Sequence, residues 1–204
     1  MRFYGSTEYT FAFSKEIFVK CPKCDGRSIV KTELGKYNIL FTDVLASFFS
    51  CSQCGLSKKI NDIWYGPYQG CVKNHCGFCG SKLKTKIKPT KKIYQKVLIR
   101  CDHCHQAKQY PVEWSRYRGS EAIDPYFGLD LWLQTEVKGD LLWAYNFEHI
   151  QYLRQYVSAE MREEKSKNRY TLVYNLPKWI KLAKNRALVL KKLDLLYEKL
   201  QEKR

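Results

Sequence analysis

Short stretches in which apolar and polar residues alternate recur along the first half of this chain, and each adjoins a Cys-x-x-Cys pair. RSIVKTE and SKLKTKIK follow such pairs, while ASFFS and KVLIR precede them. A period of two over a few residues predicts half-buried β-strands. After Asp124-Pro125 the pattern changes. LDLWLQTEV and LLWAYN alternate around Lys138-Gly139-Asp140, which predicts a β-hairpin. Asn146 can cap a helix from Phe147, with apolar positions at Phe147, Ile150, Leu153, Tyr156, Val157 and Met161. The polar run EEKSKNR breaks that pattern. A short helix then leads to Pro177, PKWIKLA makes another, and Asn185 can cap a last helix to about residue 202. On it Val189, Leu193, Leu196 and Leu200 form one stripe, with Leu188 and Leu195 beside it. Barely two heptads are present, so the stripe is expected to pack internally in a monomer, with a dimer seam as the alternative.

The cysteines give the strands a purpose. Eight of the nine form four pairs: Cys21/Cys24, Cys51/Cys54, Cys76/Cys79 and Cys101/Cys104. Two residues between cysteines let a tight turn aim both sulfurs at one ion, while backbone N–H groups soften the thiolate charge. Gly55 and Gly80, directly after a second cysteine, ease that turn. One such knuckle supplies two ligands and a tetrahedral ion takes four, so knuckles must meet in twos. The order of knuckle, strand, return strand, knuckle, strand occurs twice, at about 15–65 and 72–114, and is the order of a zinc ribbon. The repeat favours Cys21, Cys24, Cys51 and Cys54 at one ion and Cys76, Cys79, Cys101 and Cys104 at the other. Spacing also allows an interleaved pairing, since 21 residues separate Cys54 from Cys76 just as they separate Cys79 from Cys101.

Other cysteine chemistries fit less well. A thioredoxin-like pair sits between a strand and a helix, one pair to a domain, whereas these lie between strands. Cys101-Asp102-His103-Cys104-His105 matches the haem-attachment motif, which needs an oxidising export route. The start of the chain has no long apolar core and no small-residue cleavage site. Iron remains an alternative, because four thiolates do not choose their metal by spacing. Cys71 is left over and reads as a free, partly buried thiol, with a spare ligand or redox-sensitive position as the sharper alternative. His75, His103 and His105 lie beside the knuckles without being needed as ligands. A catalytic zinc keeps one position open for water, which four thiolates would close. The phosphate-loop, Gly-x-Ser-x-Gly and His-Glu-x-x-His motifs are all lacking. Two structural Zn²⁺ and no enzymatic activity are expected.

Charge adds a candidate partner. Thirty-six Lys and Arg face twenty Asp and Glu over 204 residues, a net charge of +16. Residues 76–120 alone hold eleven cations against two carboxylates. Lys82, Lys84, Lys86 and Lys88 alternate with Leu83, Thr85 and Ile87, so one strand would show all four on one face. Lys91, Lys92, Lys96 and Arg100 follow on the turn and return strand. Stacked like charges repel, and a polyanion across them would relieve that repulsion and release counterions. DNA or RNA is therefore the expected partner. The alternatives are an acidic protein docked by an adaptor or inhibitor, and a solvated edge strand guarded by lysine. Trp64, Tyr65, Tyr68 and Trp114 could stack on bases, though such residues more often belong to a core or its rim. No apolar run approaches the ~20 residues of a membrane span. A cytoplasmic protein is expected.

GLDLWLQ, LWAYN, LPKWIK and AKNR (residues 128–134, 142–146, 176–181 and 183–186) together resemble a C-terminal block of bacterial zinc-ribbon proteins, a family whose name conveys a ribbon and no activity. Members of that family carry cysteines where this chain has Thr135-Glu136-Val137-Lys138, so the resemblance lends that hairpin no metal role. The ribbons themselves resemble those of transcription factors and RNA polymerase subunits, which contact nucleic acid and protein alike. The fold expected is thus a zinc-stabilised β region of two ribbons followed by an α+β module. The first ribbon, with an N-terminal strand, would span 1–70, the second, strongly basic ribbon 71–120, and the module 125–204, a hairpin with about three helices.

Overall fold

The computed structural model describes residues 2–4, 9–35, 44–60, 63–119, 122–161 and 171–202. Its strands are β1 (Glu16–Lys20), β2 (Arg27–Leu34), β3 (Val44–Ser50), β4 (Ser57–Lys59), β5 (Tyr68–His75), β6 (Lys82–Thr90), β7 (Lys96–Arg100), β8 (Ala107–Pro111), β9 (Glu113–Arg116), β10 (Gln134–Val137) and β11 (Asp140–Trp143). Its helices are α1 (Phe147–Ser158), α2 (Leu172–Asn175), α3 (Lys178–Lys181) and α4 (Arg186–Gln201). EEKSKNR lies outside the described residues. Among the described residues no helix is long and apolar enough to cross a membrane.

Every knuckle is the turn of an antiparallel hairpin. The residue before the first cysteine pairs with the one seven positions on: Lys20 with Arg27, Ser50 with Ser57, His75 with Lys82, Arg100 with Ala107. Within the turn, the N–H of the first cysteine donates to the carbonyl of Gly26, Leu56, Ser81 or Gln106 at 2.8–2.9 Å. Its own carbonyl accepts from the residue after the second cysteine, and that residue has positive φ in all four turns: Asp25 54°, Gly55 70°, Gly80 72°, His105 59°. Glycine takes this conformation without steric cost, and Asp and His are among the few side chains that tolerate it. His105 thus occupies the turn's left-handed position. β1 is the N-terminal strand expected of the first ribbon, whereas the sequence-based order of elements omitted β5, the strand that enters the first knuckle of the second.

The chain forms two compact units, Met1–Ile63 with Ala122–Arg204, and Trp64–Glu121. The first does not follow the boundaries expected from sequence, which put residues 1–70 and 125–204 in separate domains. In it β1-β2-β3-β4 make one antiparallel sheet. Alternation puts Ile17, Val19, Val30 and Phe49 on one face, all essentially without exposure. One sheet cannot bury its own face, and the C-terminal segment supplies the second layer. Phe49 meets Phe127 at 6.3 Å between ring centres. The outer edge of β1 is closed by backbone: Phe18 N–H donates to Tyr145, Lys20 N–H to Asp130, and Trp132 N–H to Phe18. Asp124-Pro125, which reads as a boundary, is buried instead. The Asp124 carboxylate accepts the N–H groups of Tyr126, Phe127 and Leu129 and holds that loop against the core.

The C-terminal elements match the expected pattern closely. β10 and β11 pair around Lys138 and Gly139, both with positive φ, the geometry of a tight two-residue hairpin turn. The Asn146 side chain accepts from His149 N–H and caps α1. Val189, Leu193 and Leu196 are fully buried, so the α4 stripe packs within its own unit. Two details differ. Phe147 is 43% exposed and Met161 lies beyond the helix. Asn185 precedes α4 without capping it, because its amide spans to the Trp179 carbonyl and its oxygen accepts from Lys138.

The second unit is a small sandwich. One layer is the sheet β6-β5-β9 and the other the hairpin β7-β8. Val72, Leu83 and Ile87 from the first meet Val97, Ile99 and Tyr110 from the second, with Cys76 and Cys101 in the same cluster. Gly70 lies directly across from Trp114, where an added Cβ would come 2.9 Å from the indole, so only glycine fits. Trp64 is core, its Nε1 donating to the Pro67 carbonyl and the Arg116 guanidinium 5.4 Å from its ring.

Candidate metal centres and basic faces

The four knuckles converge in the sequential partition. Cys21, Cys24, Cys51 and Cys54 form one cluster and Cys76, Cys79, Cys101 and Cys104 the other, the sulfurs of each lying within 4.8 Å of one another. The closest sulfurs are 3.6 Å apart for Cys21/Cys54 and Cys24/Cys51, 3.6 Å for Cys76/Cys104 and 3.7 Å for Cys79/Cys101. A disulfide would need about 2.05 Å. Four thiolates about 2.3 Å from one tetrahedral ion stand about 3.8 Å apart, which matches these clusters. Sulfurs on separate irons of a cluster would stand further apart, so the spacing suits a single ion. In each knuckle the first cysteine is buried and the second is exposed or half-buried. Each centre thus ties a core to its surface turn.

Electrostatics agree with a resident cation. At Cys79 the Ser81 hydroxyl, 3.3 Å from Sγ, together with the Ser81 N–H draws the thiol down to about 5. At Cys104 the Gln106 N–H pulls downward, but burial and three neighbouring thiols push it up to about 12. The first cluster divides likewise: burial opposes ionisation of Cys51, yet bonds from Ser28, Cys54 and Gln53 bring it down to about 6, while Cys24 is driven up to about 12. Four thiols in one small space cannot all ionise on their own, because each negative charge disfavours the next. A divalent ion would remove that conflict.

Cys71 stands outside both clusters. It is half-buried in the middle of β5, opposite Lys86 on one side and Glu113 on the other. His75, His103 and His105 are likewise outside the clusters and exposed.

The basic residues do not share one surface. Lys82, Lys84 and Lys86 alternate with Leu83, Thr85 and Ile87 and face out from the β6-β5-β9 layer. Lys96 and Arg100 face out from the β7-β8 layer, with Val97 and Ile99 turned inward. The two layers share an interior, so their outer faces point away from each other. Lys91 and Lys92 are exposed on the connection. Lys88 departs from the regular row: Lys88 and Pro89 together oppose Gln69 in a bulge, where the Gln69 amide donates to the Ile87 carbonyl. Proline offers no N–H, which is why the ladder breaks there.

One residue of the lysine face was missed. Lys73 on β5 lies directly opposite Lys84 and forms an ion pair with Glu113 at 3.9 Å, both side chains well exposed. The signal was present in the spacing. Once the knuckle is taken as a hairpin turn, counting outward from His75 and Lys82 pairs 73 with 84. No family model matches this chain, and no curated protein or solved structure does. The residues and their geometry therefore carry the functional reading: two Cys₄ centres, each able to hold one metal ion, and a separate lysine face.

Proposed function

We propose that the protein is a non-enzymatic, zinc-stabilised nucleic-acid-binding protein, related to the bacterial zinc-ribbon proteins that its C-terminal strings resemble. Zinc suits both centres, since it has no geometric preference of its own and accepts the tetrahedral thiolate set that the hairpins preform. The ions are structural, since four thiolates close each coordination shell; in the second unit, of about sixty residues, the hydrophobic core is marginal by itself and the ion adds to it. The reading of DNA or RNA as partner rests on one observation. Lys73, Lys82, Lys84 and Lys86 crowd one sheet face, with Lys73 and Lys84 directly paired, and Glu113 is the one carboxylate in those three strands. Like charges in register destabilise a sheet unless something relieves them. A phosphate backbone does so and releases its counterions.

The experiment is a titration of wild type and a Lys73, Lys82, Lys84, Lys86→Gln variant against short duplex DNA, single-stranded DNA and RNA at several salt concentrations. Removing one lysine–phosphate pair should lower the magnitude of the salt slope by about one, similarly across sequences. Lack of wild-type binding to all three near physiological salt sinks the reading. A second reading has support of its own. β6 is an edge strand, and lysine with proline is a common way to guard an open edge. On that reading the four-Gln variant would self-associate without any change in nucleic-acid binding.

A further inference from the structure

We infer that β7 is a docking edge for an extended acidic segment of a partner protein, which adds to it as a third strand. This does not rest on the nucleic-acid reading, since β7 belongs to the opposite layer from the lysine face.

The hydrogen-bond register identifies the open groups. Cys101 N–H donates to the Gln106 carbonyl and Val112 N–H to that of Gln95. Bonded pairs alternate in an antiparallel ladder, so Val97 with Tyr110 and Ile99 with Lys108 exchange the intervening bonds. The N–H and C=O groups of Lys96, Leu98 and Arg100 therefore point away from β8. Among the described residues β8 is the only strand paired with β7. The side chains of the same three residues form its outward face. Leu98 is 68% exposed between two cations, and Ile93 and Tyr94 on the approach are 52% and 51% exposed.

Two of the edge strands of this unit, β6 and β7, differ in kind. β6 carries four lysines, a bulge and Pro89, features that deter pairing. β7 carries an exposed leucine and no proline or bulge. A strand added there would gain main-chain bonds along the edge and specificity from alternate side chains. Residues of acidic, apolar, acidic type would meet Lys96, Leu98 and Arg100 in turn. No carboxylate lies between Lys82 and Arg100 to oppose them.

The test uses the full metal-loaded chain and the peptide acetyl-Thr-Glu-Thr-Val-Thr-Glu-Thr-amide, whose alternate residues are acidic, apolar and acidic, with amide exchange followed by NMR. At peptide concentrations about ten times its Kd, the amides of Lys96, Leu98 and Arg100 should exchange about tenfold more slowly. A control peptide with lysine in place of glutamate should have no effect. Leu98→Pro removes an outward N–H without touching the ladder to β8 and should abolish the slowing. Leu98→Gln, which keeps that N–H, should weaken it. The proposal is overturned if those amides do not slow, if the control peptide slows them equally, or if both variants respond as wild type does. It is also overturned if wild type sediments as a dimer that Leu98→Pro dissociates, since the occupant would then be a second copy of this chain.

Discussion

Lys73 on β5 and Lys84 on β6 stand directly across from each other on the outer face of their sheet. Two ammonium groups in register make this pair locally unfavourable, and the arrangement makes two properties move in opposite directions. Lys84→Glu should create a cross-strand ion pair and raise the thermal midpoint of the second unit. The same change should lower the magnitude of the salt slope for DNA or RNA by at least about one. Calorimetry and salt titration on one variant check both. A higher midpoint with unaltered binding would assign the face to something other than phosphate.

The two metal centres lie in different units, so they should fail separately. Native mass spectrometry should find two zinc ions per chain. Cys51→Ser should leave one and unfold the unit built from β1–β4, β10, β11 and the helices. Cys76→Ser should also leave one but spare that unit, as judged by its helical circular dichroism. Cys71→Ser should keep both ions, because its thiol lies outside both clusters. Losing either ion should be severe, since binding free energy at such sites is on the order of 10 kcal/mol and is folding free energy.

His105 holds its turn through backbone conformation, with φ at 59°, where two equivalent turns use glycine. His105→Gly should therefore retain the second ion with little change in stability. His105→Val, which places a β-branched side chain in the left-handed region, should destabilise the second unit by about 1–2 kcal/mol. Urea denaturation with zinc content measured in parallel tests both. Disappearance of the ion in the glycine variant would make the imidazole a ligand.

His149 should make the first unit acid-sensitive. Its ring stacks on Phe13 at 4.9 Å, and its Nδ1 accepts the Tyr145 N–H at 3.3 Å, which leaves the proton on Nε2. Burial pushes its pKa down from 6.5 to about 3. Between those values the unfolded chain holds a proton that the folded one does not, so stability is complete above about pH 6.5 and falls toward pH 3. The slope should approach 1.4 kcal/mol per pH unit, on the order of one proton. Thiolate protonation also contributes in acid, so the informative quantity is the difference between wild type and His149→Phe. That difference should shrink steadily as pH drops from about 7 to about 5. A constant difference would mean that His149 is not the group responsible.

Much of this protein was legible in the chain because its strongest signals are local. Cys-x-x-Cys spacing specifies a turn, alternation around Lys138-Gly139 specifies a hairpin, and Asn146 before an apolar stripe specifies a capped helix. Each depends on residues within a few positions of one another. Other properties depended on which surfaces meet. Alternation in β1, β2 and β3 requires one face to be buried without naming what covers it, and here the cover comes from more than seventy residues further on, across Ala122–Arg204. The second ribbon therefore interrupts the first unit instead of following it. The basic residues show the same limit. Spacing put Lys82, Lys84 and Lys86 on one face of a strand, but only the packing of β5 and β6 on β7 and β8 decided that Lys96 and Arg100 face the other way and that Lys73 joins the row. A strand's period fixes which side chains share its face, whereas the direction of that face is set by the layer packed behind it.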